Sequence, residues 1–243
     1  MLASLERTRE RMDELLGSSV PDVTVVLHRS EPFLGLAHPL YLLARASTAP
    51  AGRRYVAGWA GARELHVLSP AALARRASRA PGSRAMLALA PDALYARLVV
   101  ARAGGALPPP HTPARAMRAL RWPWLAEGCG RFLSGQTGHA RPAIARRLRE
   151  GGRPRFPPGA RDSPLLGGTV LDLLAREQGM AAVVDLLLSP LPGSPEAALR
   201  SAFAGRSPVH TEGAWRALLA RQATEASHPR EDERRRRRRP RPG

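Results

Sequence analysis

Trp124-Leu125-Ala126-Glu127-Gly128-Cys129-Gly130-Arg131-Phe132-Leu133-Ser134-Gly135 is the most specific stretch in this 243-residue chain. It reads as a helix over 124–134 that carries one carboxylate near its start and ends at a glycine. By itself such a carboxylate is satisfied by the helix N-terminal dipole or by a neighbouring arginine. What surrounds the stretch decides whether Glu127 means more.

Upstream, Leu5, Met12, Leu15 and Leu16 recur at helical spacing among charged residues, and Gly17 ends that helix. The β-branched run Val23-Thr24-Val25-Val26-Leu27 predicts a strand, as do residues 55–58 and 64–68. Past Pro70 helical composition takes over, at 71–79 and 90–102, the latter closed by Gly104-Gly105 and Pro108-Pro109-Pro110. Further helices are expected at 142–150, 168–178, 180–188, 195–203 and 212–222. The order is a small N-terminal sheet followed by a mainly helical part, an α+β class. One domain is expected over 1–226, its sheet part about 1–70 and its helical part about 71–226; residues 227–243 form a disordered arginine-rich tail with nothing apolar to bury.

Composition narrows the function less than it first promises. All 38 basic residues are arginine, asparagine is absent, Ile144 is the sole isoleucine, and the formal charge is +18. A GC-biased coding sequence produces that pattern without selection on function, although the charge still attracts polyanions weakly and in a salt-sensitive way. Arg234, Arg235, Arg236, Arg237, Arg238 and Arg239 are the candidate nucleic-acid contacts, and no aromatic residue interleaves with them for base stacking. A single cysteine, Cys129, excludes an intramolecular disulfide framework and fits a reducing, cytoplasmic compartment. Charged residues in the first sixteen positions exclude a signal-peptide core, and no segment approaches the roughly 20 apolar residues of a membrane span.

The twelve quoted residues resemble the second metal motif of gluzincin zinc metallopeptidases of the MA clan, written W-L-x-E-G-x-A, with Trp124, Leu125 and Gly128 framing Glu127. The resemblance implies a zincin-like fold over roughly residues 20–222 and gives Glu127 the position of the third zinc ligand. A carboxylate there faces two imidazoles one turn apart on another helix and leaves one position for water. Glu177-Gln178-Gly179 and Trp215 stand where members carry an aromatic-glycine pair and a tryptophan-bearing last helix.

The upstream half of the site is missing, because no H-E-x-x-H occurs in the chain. The helix over 92–100 stands in its place, with Tyr95, Ala96 and Val99 at the positions of His, Glu and His. A neutral phenol is a poor zinc ligand, and Ala and Val have no lone pair to offer. The expectation is therefore a catalytically inactive pseudopeptidase with no catalytic residues, its zinc lost, whose vestigial cleft binds a peptide or a protein partner.

Two other functions compete with this one. One is polyanion binding through the tail and the basic body; the other is a divergent metallohydrolase with rearranged ligands drawn from Glu127, His111 and His139. No two of the seven histidines lie three or four residues apart, so no helix presents a local metal pair. No G-x-S-x-G elbow supports a serine nucleophile, and the glycine pairs at 104–105 and 167–168 lack the spacing of a phosphate loop.

Overall fold

The computed structural model describes residues 1–104, 117 and 120–227. His111, the Pro-rich loop and the arginine tail fall outside them. Helix α1 (Leu2–Leu16) buries Leu5, Met12 and Leu16 and ends at Gly17, whose φ of 60° is the left-handed conformation a glycine adopts without strain. Strand β1 (Thr24–His28) leads into three short helices, α2 (Glu31–Ala37), α3 (Pro39–Ser47) and α4 (Pro50–Arg53). Each has a proline in its first turn, where a missing N–H costs nothing.

Strands β2 (Gly58–Ala60) and β3 (Glu64–Leu68) complete a three-stranded sheet of order β1-β3-β2, parallel between β1 and β3 and antiparallel between β2 and β3. The expected strand at 55–58 begins later, because Tyr55 and Val56 end a turn and go into the core. Leu65 and Val67, on one face, are fully buried. That face rests on helix α7 (Ala90–Ala103), whose Leu94 side chain lies against Gly58. Helices α5 (Pro70–Arg76) and α6 (Ser83–Ala88) connect the sheet to α7.

Helix α8 (Pro123–Leu133) carries the quoted motif and lies between α7 and the long α10 (Ser163–Leu188). Two glycines permit this. A Cβ on Gly130 would come within 2.1 Å of the Ala93 carbonyl oxygen, and one on Gly128 within 2.4 Å of the Gly167 carbonyl carbon. Both approaches are closer than any side-chain carbon tolerates, so backbone meets backbone across these helices. After α8 come a 3₁₀ turn (Gln136–His139) and helix α9 (Arg141–Arg149). Gly179, at φ 88° and ψ 170°, divides α10 into 163–178 and 180–188, as the sequence anticipates. Helices α11 (Pro195–Ala202) and α12 (Pro208–Ser227) close the helical part.

Trp124, Trp215, Tyr41 and Phe203 are the largest fully buried side chains. The Trp215 indole N–H donates to the Thr169 hydroxyl at 2.7 Å, which fastens α12 to α10. Among the described residues no helix is long and apolar enough to cross a membrane.

Candidate functional site

Helices α7 and α8 pack side by side, and an open cleft of about 190 Å3 runs beside them. Leu40 and Leu43 of α3, Trp59 of the edge strand β2, and Pro123 and Ala126 of α8 give it mainly apolar walls. Arg97 and Glu127 supply its charge.

Those two residues form an ion pair across the helix interface, the Arg97 guanidinium Nη1 donating to a Glu127 carboxylate oxygen. Both side chains are partly buried, so the pair is only partly screened by water. Behind them Arg131 is buried and donates to the Gln136 amide oxygen at 2.8 Å and to the Tyr55 carbonyl at 3.2 Å. Burial lowers the pKa of Arg131 from its ordinary value, and the nearby Glu127 carboxylate opposes that shift. Arg97 pairs with Glu127 directly and Arg131 acts on it from behind, so this corner carries two guanidiniums to one carboxylate.

Tyr95, Ala96 and Val99 do not line the cleft or the recess beside Glu127. The Tyr95 hydroxyl donates to the Val20 carbonyl at 3.1 Å and accepts from the Val20 N–H at 3.3 Å, and burial raises its pKa above the ordinary phenol value. Ala96 and Val99 are fully buried in the core. The α7 residues that reach the cleft region around Glu127 are Ala90, Ala93, Leu94 and Arg97. Neither an alkyl group nor a charged guanidinium donates a lone pair, so these side chains do not fit a zinc ion opposite Glu127. Among the described residues no group of three His, Cys, Asp or Glu side chains converges on a point suited to a metal. His139, at the end of the 3₁₀ turn, is exposed and does not line the cleft.

The remaining motif residues are structural. Trp124 and Leu125 fill the core, and Gly128 provides the contact with α10. Cys129 is buried, and burial pushes its thiol up to about 12, which keeps it protonated and unreactive at neutral pH.

Sequence reasoning missed a histidine cluster on the second face of the sheet. The β1–β3 register places His28 Nε2 at 3.1 Å from His66 Nδ1, and His66 Nε2 lies 3.1 Å from a Glu64 carboxylate oxygen. The His38 ring, at the α2–α3 junction, meets His66 edge-on with centroids 3.9 Å apart. No spacing along the chain reveals this, since strand pairing across 38 residues creates it. The only sequence signal is that His28 and His66 each fall in phase on their strands.

Burial first, then the charge of His66, lowers the pKa of His28 and His38 below 6.5. The unfolded chain takes up these protons near 6.5, whereas the folded chain takes them up only at lower pH. Their contribution to stability is therefore complete above the unfolded value and is lost as pH falls through the lowered folded values. Thermal midpoints should hold steady just above pH 6.5 and decline below it. A His28→Gln, His38→Gln variant should flatten that decline; an unchanged slope in the variant would show that other groups cause it.

Compared with protein-family models, curated proteins and solved structures, the chain matches none of them.

Proposed function

We propose that this chain is a catalytically silent relative of the gluzincin zinc metallopeptidases, using the cleft between α3, β2 and α8 to hold a peptide or a partner protein. The observation that carries the reading is the Arg97–Glu127 pair. In an active enzyme of that kind the carboxylate on the second helix faces a dication. Here a guanidinium from the first helix neutralises it, which accounts for a partly buried Glu that survives without a metal.

Two further features support the reading. Four residues of α7, Ala90, Ala93, Leu94 and Arg97, line the recess beside Glu127, and the last three of them stand at i, i+1 and i+4, the spacing of an H-E-x-x-H motif. The cleft also runs beside β2, an edge strand, where an extended peptide finds backbone partners, and its walls are apolar enough to seat side chains.

On this reading the purified protein, analysed for metals by mass spectrometry, contains zinc far below one equivalent, and Glu127→Ala leaves that content unchanged. One equivalent of zinc that disappears on Glu127→Ala would overturn it.

A further inference from the structure

Half of the twelve exposed large apolar side chains among the described residues lie between positions 27 and 43. Five belong to the α2–α3 hairpin: Phe33 (62% exposed), Leu36 (80%), Leu40, Leu42 and Leu43 (67%). The exposure is not slack in a loose loop. Leu34 and Tyr41 anchor the two helices in the core at 0% exposure, and the Tyr41 hydroxyl donates to the Val56 carbonyl and accepts from Arg76, each at 3.2 Å. A firmly held hairpin thus turns an apolar ridge toward solvent, which single scattered leucines do not do.

The charge around the ridge is mainly positive, although Glu64 of β3, paired with His66, acts on His38 at the hairpin junction. From residue 29 to residue 63 the only acid is Glu31, and it is neutralised by Arg45 at 2.8 Å and by Arg76 at 3.6 Å. Arg29 stands exposed just before α2, and the Arg75 guanidinium donates to its carbonyl at 3.5 Å. Arg53 and Arg54 follow α3. Even without residues 229–243, the chain has 30 arginines against 17 carboxylates.

We propose that the α2–α3 hairpin is a docking surface for an anionic lipid bilayer, with Phe33, Leu36 and Leu43 entering the headgroup region and Arg29 and Arg75 resting on acidic headgroups. Two copies of this chain would bring like charge together at the same face, so self-association is the poorer match. An acidic bilayer satisfies both features at once: it takes up apolar side chains without a matching pocket and attracts nearby arginines. The hairpin shares Leu40 and Leu43 with the cleft, so docking sets the cleft mouth at the membrane surface.

The test uses the full chain and vesicles of phosphatidylcholine, either alone or with about one-third phosphatidylserine. Sedimentation should show binding only to the acidic vesicles, and Leu36→Glu with Leu43→Glu should weaken it about tenfold or more. Both positions are exposed, so the double variant should keep the native thermal midpoint. The arginine tail attracts the same vesicles, so a second readout separates insertion from simple attraction. Leu36→Cys offers an accessible thiol, since Cys129 is buried, and an environment-sensitive dye there should shift to the blue on vesicle binding. The proposal is overturned if the dye on bound protein keeps its emission in water, if the double variant binds as well as the parent, or if the protein proves to be a dimer that Leu36→Glu dissociates.

Discussion

Asp162→Ala should lower the folding free energy by about 3 to 5 kcal/mol, the usual cost of stranding one charge of a buried ion pair. Arg147 and Asp162 are the most deeply buried pair among the described residues, with side chains 4% and 8% exposed. Their contact is bidentate, Nε to Oδ1 at 2.6 Å and Nη2 to Oδ2 at 3.0 Å. The same guanidinium donates to the Gly151 and Gly152 carbonyls, so it joins α9, the following turn and the start of α10. Removing the carboxylate leaves that guanidinium buried with neutral partners alone. The expected loss is a large part of the about 5 to 15 kcal/mol that holds a typical domain together. Urea denaturation monitored by circular dichroism measures it, and a loss below about 1 kcal/mol would mean that water reaches Arg147 in the variant. Arg147→Met with Asp162→Leu removes both charges and should cost far less than the single change.

The parts of the fold that sequence reading anticipates share one feature: short-range chemistry decides them. The β-branched run at 23–27 becomes β1 displaced by one residue, helix 90–102 becomes Ala90–Ala103, and Gly179 interrupts α10 where a residue of positive φ must. Sequence reading assigns no element between residues 28 and 54, where helices α2, α3 and α4 lie, each with a proline, Pro32, Pro39 or Pro50, in its first turn. The coarse α+β class holds, with the strands interleaved among helices rather than gathered ahead of them.

The candidate site is legible to a different degree on its two helices. Glu127 has local context in Trp124, Leu125 and Gly128, whereas α7 has almost none. Its residues from Ala90 to Ala101 are nearly all buried, against the sheet and α1 on one side and α8 on the other. A helix buried all round has no apolar stripe from which to read which side chain faces which neighbour. Tyr95 carries a polar group that could have faced Glu127, yet its hydroxyl is occupied by Val20, 75 positions earlier in the chain. Arg97, which meets Glu127, looks in the sequence like one more surface arginine among 38.

The phase of α7 gives the ancestry proposed for this chain its strictest test. Ala93→His, Leu94→Glu and Arg97→His together would place two imidazoles one turn apart on the side of α7 that reaches the Glu127 cleft, and would release Glu127 from its guanidinium. That variant is expected to bind one zinc per chain with a dissociation constant of about 1 μM or tighter, where the parent binds none, and to lose the metal on Glu127→Ala. The same three residue types introduced at Tyr95, Ala96 and Val99 should bind no zinc and should destabilise the fold. Ala96 and Val99 are fully buried, and Tyr95 would lose its bonds to Val20, so those polar groups would be stranded in the core. Zinc titration followed by metal analysis after gel filtration distinguishes the two registers, and circular dichroism reports whether each variant folds. A folded variant at 93, 94 and 97 that retains no zinc would remove the reason to regard Glu127 as a former ligand. Stoichiometric zinc bound through Glu127 would mean that the backbone still holds a metallopeptidase's geometry after its side chains have changed.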